Sequence, residues 1–406
     1  MTLANDPGPA ERLAARNRIR GLRPRIMNRE LALVFIVSFG ALTSLYLLLS
    51  VVALYAESVG AGGIGAGLAT GVLLLSTVAA ELATPRLMTR LGPRLSLGLG
   101  LVLLGGPALA LPATRTTGGI LAISAVRGVG FAIIVVVSGA MVASLVPNER
   151  RGEGLGLFGV VVGVPSIVAL PLGVWLAKNV GYPPVFVAGA VAALATLVVI
   201  PGLPGRTAQS EQPVGILAGL RMSTLLRPSI VFATTAMAAG VVVTFLPLAV
   251  TGGSGNLAAM ALFVQGATAT AARWWAGRHG DRHGSAGLII PGVLTSAAGM
   301  AALVLTSSPA AVIVAMVIFG IGWGFAQNAS LALMFERVSP SGYGAVSALW
   351  NLAYDAGLGL GAAGFGLVAA QTGYPAAFAL TAGVVLLAVV PAWPDRRSAQ
   401  PAPADG

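Results

Sequence analysis

The sequence Ala276-Gly-Arg-His-Gly-Asp-Arg-His-Gly284 forms a charged turn between two apolar segments, each long enough to cross a bilayer. A weaker copy, Pro85-Arg-Leu-Met-Thr-Arg-Leu-Gly-Pro-Arg94, lies at an offset of 192 residues upstream. The same offset of 192 relates Gly128-Val-Gly130 to Gly320-Ile-Gly322, Gly152 to Gly344, and Gly181-Tyr-Pro183 to Gly373-Tyr-Pro375. A constant offset over about a hundred residues indicates one ancestral unit used twice.

The composition predicts an all-α integral membrane protein. Of 406 residues, 56% are hydrophobic and 9% charged, with a mean hydropathy of +0.88, whereas soluble domains carry about 25% charged residues. A span needs about 20 apolar residues. Charged or Gly/Pro turns separate twelve such stretches, at residues 31–55, 63–84, 95–112, 119–145, 154–176, 183–203, 228–250, 256–275, 286–306, 309–334, 343–369 and 374–392. With the constant offset, they predict twelve transmembrane helices in two six-helix parallel repeats.

The placement of basic residues predicts the orientation, because positive charge accumulates in short cytoplasmic loops. With the amino terminus inside, cytoplasmic segments hold 21 of the 24 Lys and Arg residues, and outer loops hold two, Arg115 and Lys178. We therefore expect a multi-pass protein of the cell membrane with both termini in the cytoplasm. The net charge of +11 suits anionic membrane lipid, whereas nucleic-acid binding would need a basic patch on one folded face.

The predicted domains follow from these spans. We expect a basic cytoplasmic tail at residues 1–29, six-helix bundles at 30–203 and 228–392, a cytoplasmic linker at 204–227 and a second tail at 393–406. The first apolar stretch is longer than the roughly 7–15 apolar residues of a signal peptide, so we expect it to stay in the membrane. The sequence has no cysteine, which excludes disulfides and thiol chemistry.

The charged turn resembles the GxLxDRxGRR motif of the major facilitator superfamily. The first copy departs from that motif, because Pro85 replaces its glycine and Thr89 replaces its aspartate. The resemblance implies a secondary transporter that works by alternating access, similar to the twelve-span drug/metabolite:proton antiporter branch. It also implies an inner gate at the two turns, formed by Arg90, Gly92, Gly277, Asp281, Arg282 and Gly284.

Two further stretches resemble superfamily motifs. Arg127, inside the fourth stretch, resembles the arginine that opens a span-four motif implicated in proton transfer; the alternative is an arginine that binds the carbonyls of a broken helix. Ala169-Leu-Pro171-Leu-Gly173 resembles a weakened form of the antiporter motif GPxxGG. It favours export over import, although two prolines also suit a helix that is simply kinked.

Asp355 is the acidic residue predicted to lie nearest the middle of the membrane. If a helix starts near Tyr343, Asp355 lies roughly 18 Å from its inner end, at about 1.5 Å per residue. Carboxylates inside a membrane are costly and are functional candidates by default. We therefore predict proton coupling at Asp355 and Arg127, with Glu81 as the substitute candidate; the alternative for Asp355 is a structural hydrogen bond to a neighbouring helix.

Aromatic and amide side chains suggest a substrate cavity. Tyr46 shares a helical face with two other hydroxyls, although small polar groups also serve helix packing. Phe131 is the repeat equivalent of Trp323, which suggests paired walls; interior packing is the alternative. The predicted cavity comprises Tyr46, Phe131, Trp323, Gln327, Asn328 and Asn351. Arg273-Trp-Trp275 is interpreted as an interfacial anchor at the end of the eighth span.

These features favour proton-coupled export of a small amphipathic organic compound. A proton-coupled importer, and a lipid-moving or sensory protein on the same scaffold, remain as alternatives. An enzyme would need convergent catalytic groups, and the sequence has no HExxH or GxSxG. His279 and His283 lack the further ligands that a metal site needs, and we expect no cofactor. The predicted spans hold no basic cluster for a sugar phosphate.

Overall fold

The computed structural model describes residues 27–146, 151–205, 223–250, 256–338 and 342–397. Most of the predicted amino-terminal tail, most of the linker and the last nine residues lie outside the described residues. All regular secondary structure in the described ranges is helical, which confirms the expected all-α class.

Eleven α-helices account for most of the described residues. They are α1 (Arg29–Ala56), α2 (Gly62–Gly105), α3 (Thr117–Leu145), α4 (Arg151–Asn179), α5 (Tyr182–Leu194), α6 (Ser223–Ala249), α7 (Leu257–His283), α8 (Ile289–Ala302), α9 (Pro309–Glu336), α10 (Tyr343–Leu387) and α11 (Val389–Arg397). A π-helical turn joins α1 to α2, and short 3₁₀ segments extend α2, α5 and α8.

Polar caps define where several helices begin. Asn28, Thr116 and Ser308 precede α1, α3 and α9, and the side-chain oxygen of each accepts a hydrogen bond from the backbone N–H three residues further on, at 2.7, 3.3 and 3.4 Å. Such caps satisfy backbone donors that the first helical turn leaves unpaired. A long run of mostly apolar residues follows each cap, and the helix continues through it.

Within the described ranges, eight helical stretches are long and apolar enough to cross a membrane. The first covers Arg29–Ala113 and the last covers Ala345–Asp395, each longer than one crossing needs. Both contain a break: α2 at Gly92 (φ 77°) and α10 at Gly373 (φ 77°). The left-handed region is open to glycine because it has no Cβ, so the chain can change direction inside each stretch.

Glycines in the left-handed region recur at the offset found in the sequence. Gly92 (φ 77°, ψ 163°) and Gly284 (φ 83°, ψ 145°) lie 192 residues apart and share one backbone conformation. Gly181 (φ 100°, ψ 170°) and Gly373 (φ 77°, ψ 164°) form a second pair with the same spacing. Equivalent positions of the two halves therefore make similar corners.

Close helix contacts recur at the same offset. A Cβ at Gly130 would lie 2.7 Å from the carbonyl oxygen of Gly100, and a Cβ at Gly322 would lie 2.8 Å from that of Gly292. All four positions are related by 192 residues. Small residues let helix backbones approach closely in membranes, and here the same pair of helices does so in each half.

The carboxyl-terminal end differs from the predicted tail. The chain remains helical to Arg397, beyond the predicted boundary at residue 392. Asp395 is buried, and its carboxylate accepts a 2.7 Å hydrogen bond from Arg337, which also donates to the carbonyl of Thr224 at 2.6 Å. These contacts tie α11 to the end of α9 and the start of α6. The ion pair between Arg337 and Asp395 thus holds the chain beyond residue 392 against the other helices. Sequence periodicity does not indicate such a pair.

Candidate functional site

The candidate site lies where the N-terminal half (residues 27–205) meets the C-terminal half (residues 223–397), and we call this region between the halves the cleft. Ser50 donates a hydrogen bond to the carbonyl oxygen of Val243, and Asn179 donates to the side-chain oxygen of Asn256 at 3.2 Å. These contacts join the halves towards the predicted outer end, which we define as the end that holds residues 57–61 and Gly373.

Helices α2 and α10 close the cleft at that end through small residues. A Cβ at Gly71 would lie 2.8 Å from the Cβ of Ala363 and 3.1 Å from the carbonyl oxygen of Gly359. A Cβ at Gly366 would lie 2.8 Å from the carbonyl oxygen of Gly63. The two backbones therefore meet, and a larger side chain cannot enter without moving one half from the other.

Two carboxyl side chains lie further along the same helices. Asp355 comes four residues before Gly359 on α10, and Glu81 comes ten residues after Gly71 on α2. Their side chains are 5% and 7% exposed, and the two carboxyls interact electrostatically. The structure thus brings together two of the three residues predicted for proton coupling, one from each half.

Tyr46 links the halves beside this pair. Its side chain lies within electrostatic range of Tyr354 and Asp355 of the other half. Tyr354 directly precedes Asp355 on α10. The predicted cavity residue Tyr46 therefore lies at the interface with the acidic residues.

Arg127, the third predicted coupling residue, lies elsewhere. It is 0% exposed, and its Nε donates to the carbonyl oxygen of Leu104 at 3.2 Å. Its other two guanidinium nitrogens have no hydrogen-bond partner among the described residues. The electrostatic partner of Asp355 is Glu81 rather than Arg127. Arg127 thus contacts a neighbouring helix of its own half in this conformation.

Arg273 points into the cleft, unlike the interfacial anchor that the sequence suggested. It lies ten residues before the end of α7, and its side chain is exposed. Its guanidinium donates to the side-chain oxygen of Gln327 at 3.3 Å and lies within electrostatic range of Tyr354 and Tyr46. The sequence missed this role because the adjacent Trp274 and Trp275 favoured a boundary position.

An aromatic stack forms the C-terminal wall of the site. Phe232 lies between Trp323 (ring centroids 5.5 Å apart, 11° between planes) and Trp350 (4.4 Å, 12°). Tyr354 continues the stack 6.0 Å from Trp350. Trp323 is only 5% exposed, so Trp350 and Tyr354 present the accessible surface. The spacing of Trp350 and Tyr354, one helical turn apart, was a signal that could have identified them.

The remaining predicted cavity residues are less central. Phe131 is buried in the core, and Asn351 is half-buried beside Trp350. Asn328 lies near α7, where a Cβ at Gly277 would be 3.4 Å from its side-chain nitrogen. Asn328 therefore lies next to a predicted gate residue.

The predicted inner gate is open to solvent. Arg90, Asp281 and Arg282 are exposed. Among the described residues, Arg337 forms an ion pair with Asp395. Arg90, Asp281 and Arg282 have no ionic partner within the described ranges. Gly92 and Gly284 make the two corners. The predicted charged turns are thus largely helical: Arg90 lies in α2 just before the break at Gly92, and Asp281 and Arg282 lie in the last turn of α7.

Comparisons with known proteins identify the architecture. A family model described as Major Facilitator Superfamily matches residues 34–362 and 229–406. A POT family transporter in complex with 5-aminolevulinic acid has a TM-score of 0.76 at 12% identity, over 92% of this chain and 97% of its own.

Two other solved structures have similar folds. A bacterial homologue of the human lysosomal transporter Spinster, inward-facing and occupied, has a TM-score of 0.73 at 16% identity, over 92% of this chain and 98% of its own. The nucleoside transporter NupG has a TM-score of 0.71 at 13% identity, over 92% and 100%. No curated protein matches the sequence significantly. At these identities the structural likeness establishes the fold.

Proposed function

The chain belongs to the major facilitator superfamily of membrane transporters, and we propose that it exports a small amphipathic organic compound from the cell in exchange for protons. The chain is a multi-pass transporter rather than an enzyme. The observation that supports proton exchange is the pair of buried carboxyls, Glu81 and Asp355, contributed by different halves.

Such a pair can connect protonation to movement of the halves. Two carboxylates that are close together and shielded from water repel each other when both are ionised. A proton on either one removes that repulsion, so α2 and α10 can remain together at the predicted outer end. Release of the proton towards the inner side favours separation of the halves, which is the change that alternating access requires.

The direction of opening follows from the contacts across the cleft. The halves meet at the predicted outer end, while Arg273 and the gate residues Arg90 and Asp281 are exposed. We assign this conformation to the inward-facing state of a plasma-membrane protein with both termini in the cytoplasm. The repeated corners and close glycine contacts support twelve spans in two parallel repeats.

Proton exchange by everted membrane vesicles tests the proposal. Respiration acidifies the vesicle interior, and an acridine dye reports the gradient by fluorescence quenching. Addition of a transported compound from a panel of amphipathic cations, acids and neutral aromatics should release protons and restore fluorescence. We expect Asp355→Asn to abolish this recovery while the purified variant still binds the same compound, because asparagine keeps the size but cannot titrate.

Glu336→Gln is the matched control, since it removes an exposed carboxylate at the end of α9, and it should behave as the parent. Recovery that persists in Asp355→Asn with unchanged pH dependence would refute the role of Asp355. If no compound moves protons in the parent protein, exchange itself is refuted. Compound uptake into right-side-out vesicles with the gradient would instead identify an importer, and lipid redistribution would identify a lipid carrier.

A further inference from the structure

Arg273 places a positive charge in the cleft, and no carboxylate among the neighbouring described residues compensates it. Arg273 lies about 15 Å from the inner end of α7, at about 1.5 Å per residue. Among the described residues no carboxylate lies within ion-pair distance of it. Arginine at membrane depth is costly and usually faces a cavity or a partner. The exposed guanidinium therefore has capacity for an anion.

The position of Arg273 in the repeat sets it apart from other arginines. It lies 192 residues after Glu81, so the two occupy equivalent places in the two halves with opposite charge. Glu81 is buried within electrostatic range of Asp355, whereas Arg273 is exposed towards the cleft. Glu81 thus belongs to the carboxyl pair, whereas Arg273, at the equivalent position of the other half, presents an accessible positive charge.

The guanidinium is held by one neighbour and retains further donors. One terminal nitrogen donates to the side-chain oxygen of Gln327 at 3.3 Å. A guanidinium has five N–H donors in a planar fork that matches a carboxylate in a bidentate manner. The contact with Gln327 orients the fork, and the remaining donors are available for a carboxylate of the solute.

A flat apolar surface lies near this cation. Trp350 donates its indole N–H to the hydroxyl of Ser330 at 3.1 Å, which fixes the orientation of the ring. Phe232 supports it from behind at 4.4 Å. Partly exposed Trp350 and Tyr354 can therefore stack with a planar group, since aromatic pairs favour offset stacking at centroid distances of about 4.5–7 Å. Arg273 lies within electrostatic range of Tyr354.

We propose that the transported solute is an aromatic carboxylate whose acid group binds Arg273 and whose ring stacks on Trp350 and Tyr354. This substrate class rests on the transport function proposed above. A single guanidinium suits one carboxylate, whereas a phosphate ester carries about two negative charges. Glu81 and Asp355 remain for protons, so solute and proton occupy different groups of one cleft.

Binding to the detergent-purified protein tests the assignment without any proton gradient. The probes are three acids, phenylacetate, indole-3-acetate and 2-naphthoate, each paired with its neutral primary amide. Ligand-induced shifts of the melting temperature, followed by circular dichroism, give the apparent affinities. We expect at least one acid to bind about tenfold to a hundredfold more tightly than its amide, since hydrogen bonds to charged groups are the stronger ones.

Arg273→Gln should remove this preference, and Arg273→Lys should restore only part of it, because lysine keeps the charge without the fork. Arg278→Gln is the matched control, since Arg278 lies on the same helix with its guanidinium 3.8 Å from the ring of Trp274, and it should bind as the parent. Equal affinities for acid and amide, no binding of any acid, or unchanged acid binding by a folded Arg273→Gln protein would each overturn the assignment. None of these outcomes affects proton exchange with other compounds, so the two proposals fail separately.

Discussion

Arg127 shows how a single buried charge can be tied to backbone rather than to another side chain. Its Nε binds the carbonyl oxygen of Leu104, and two guanidinium nitrogens have no partner among the described residues. An arginine so placed does little for stability, because burial of charge costs several kcal/mol per ion. Its burial with two unpartnered guanidinium nitrogens therefore supports a role in another conformation.

We expect Arg127→Met to preserve or raise stability and to abolish proton exchange. Replacement of a buried charge by an apolar residue of similar size is often neutral or stabilising, by about 1–4 kcal/mol. Circular dichroism melting of the purified protein and the dye assay in everted vesicles measure the two effects. A lower melting temperature with intact exchange would make Arg127 a packing residue.

At the residue scale, the sequence identified candidate residues of the site better than it identified which residues they contact. Asp355, Glu81 and Tyr46 were selected by charge or hydroxyl groups inside apolar stretches, and the structure brings them together. Arg273 was misplaced because a helix boundary cannot be located within several residues. Phe232 was missed because an aromatic residue in an apolar helix carries no sign of which helix faces it.

At the scale of elements, α2 and α10 form the contact that determines which end of the cleft is closed. Their small residues Gly71 and Gly359 allow backbone contact at the predicted outer end. The helices themselves were predictable, because apolar length and turn residues mark them. The pairing of α2 with α10 was not, since periodicity within one helix does not specify a partner in the other half.

We expect Gly71→Leu to separate α2 from α10 and shift the protein to the state open at the outer end. The leucine side chain would meet the Cβ of Ala363, so most transport should be lost. Because the sequence has no cysteine, a single Ala66→Cys reporter, buried in the present state, should react faster with a membrane-impermeant maleimide added outside cells. Gly139→Leu is the control, since no atom lies within 4 Å of its Cβ position. Unchanged labelling and transport would show that this contact does not govern opening.

At the scale of the whole molecule, the charge distribution and the contacts between the halves both bear on the proposed orientation. Most of the described Lys and Arg residues lie at the helix ends on the side where Arg90, Asp281 and Arg282 are exposed, and the close glycine contacts between the halves lie on the other side. In the proposed twelve-span arrangement, both ends of the chain lie on the same side of the membrane. Periodicity predicts that arrangement, whereas the conformational state depends on contacts between halves that the sequence does not show.

Reporter fusions measure this orientation directly. Fusions after Arg206 and at the carboxyl terminus should both be active only as cytoplasmic reporters, and a fusion after Lys178 should be active only as an external one. The basis is the excess of arginine in the predicted inner segments. An external reading for either of the first two positions would contradict the twelve-span arrangement.

The corners at Gly92 and Gly284 have a consequence for how such bends can be read from a sequence. The first turn has Thr89 where the second has Asp281, yet both turns keep a glycine with φ near 80°. Any other residue there would be strained by about 1–3 kcal/mol. The two corners therefore share a bend although only the second carries an aspartate, so the direction of the backbone does not depend on that charge. In this chain the glycine is thus a more dependable sign of the corner than the ionic group beside it.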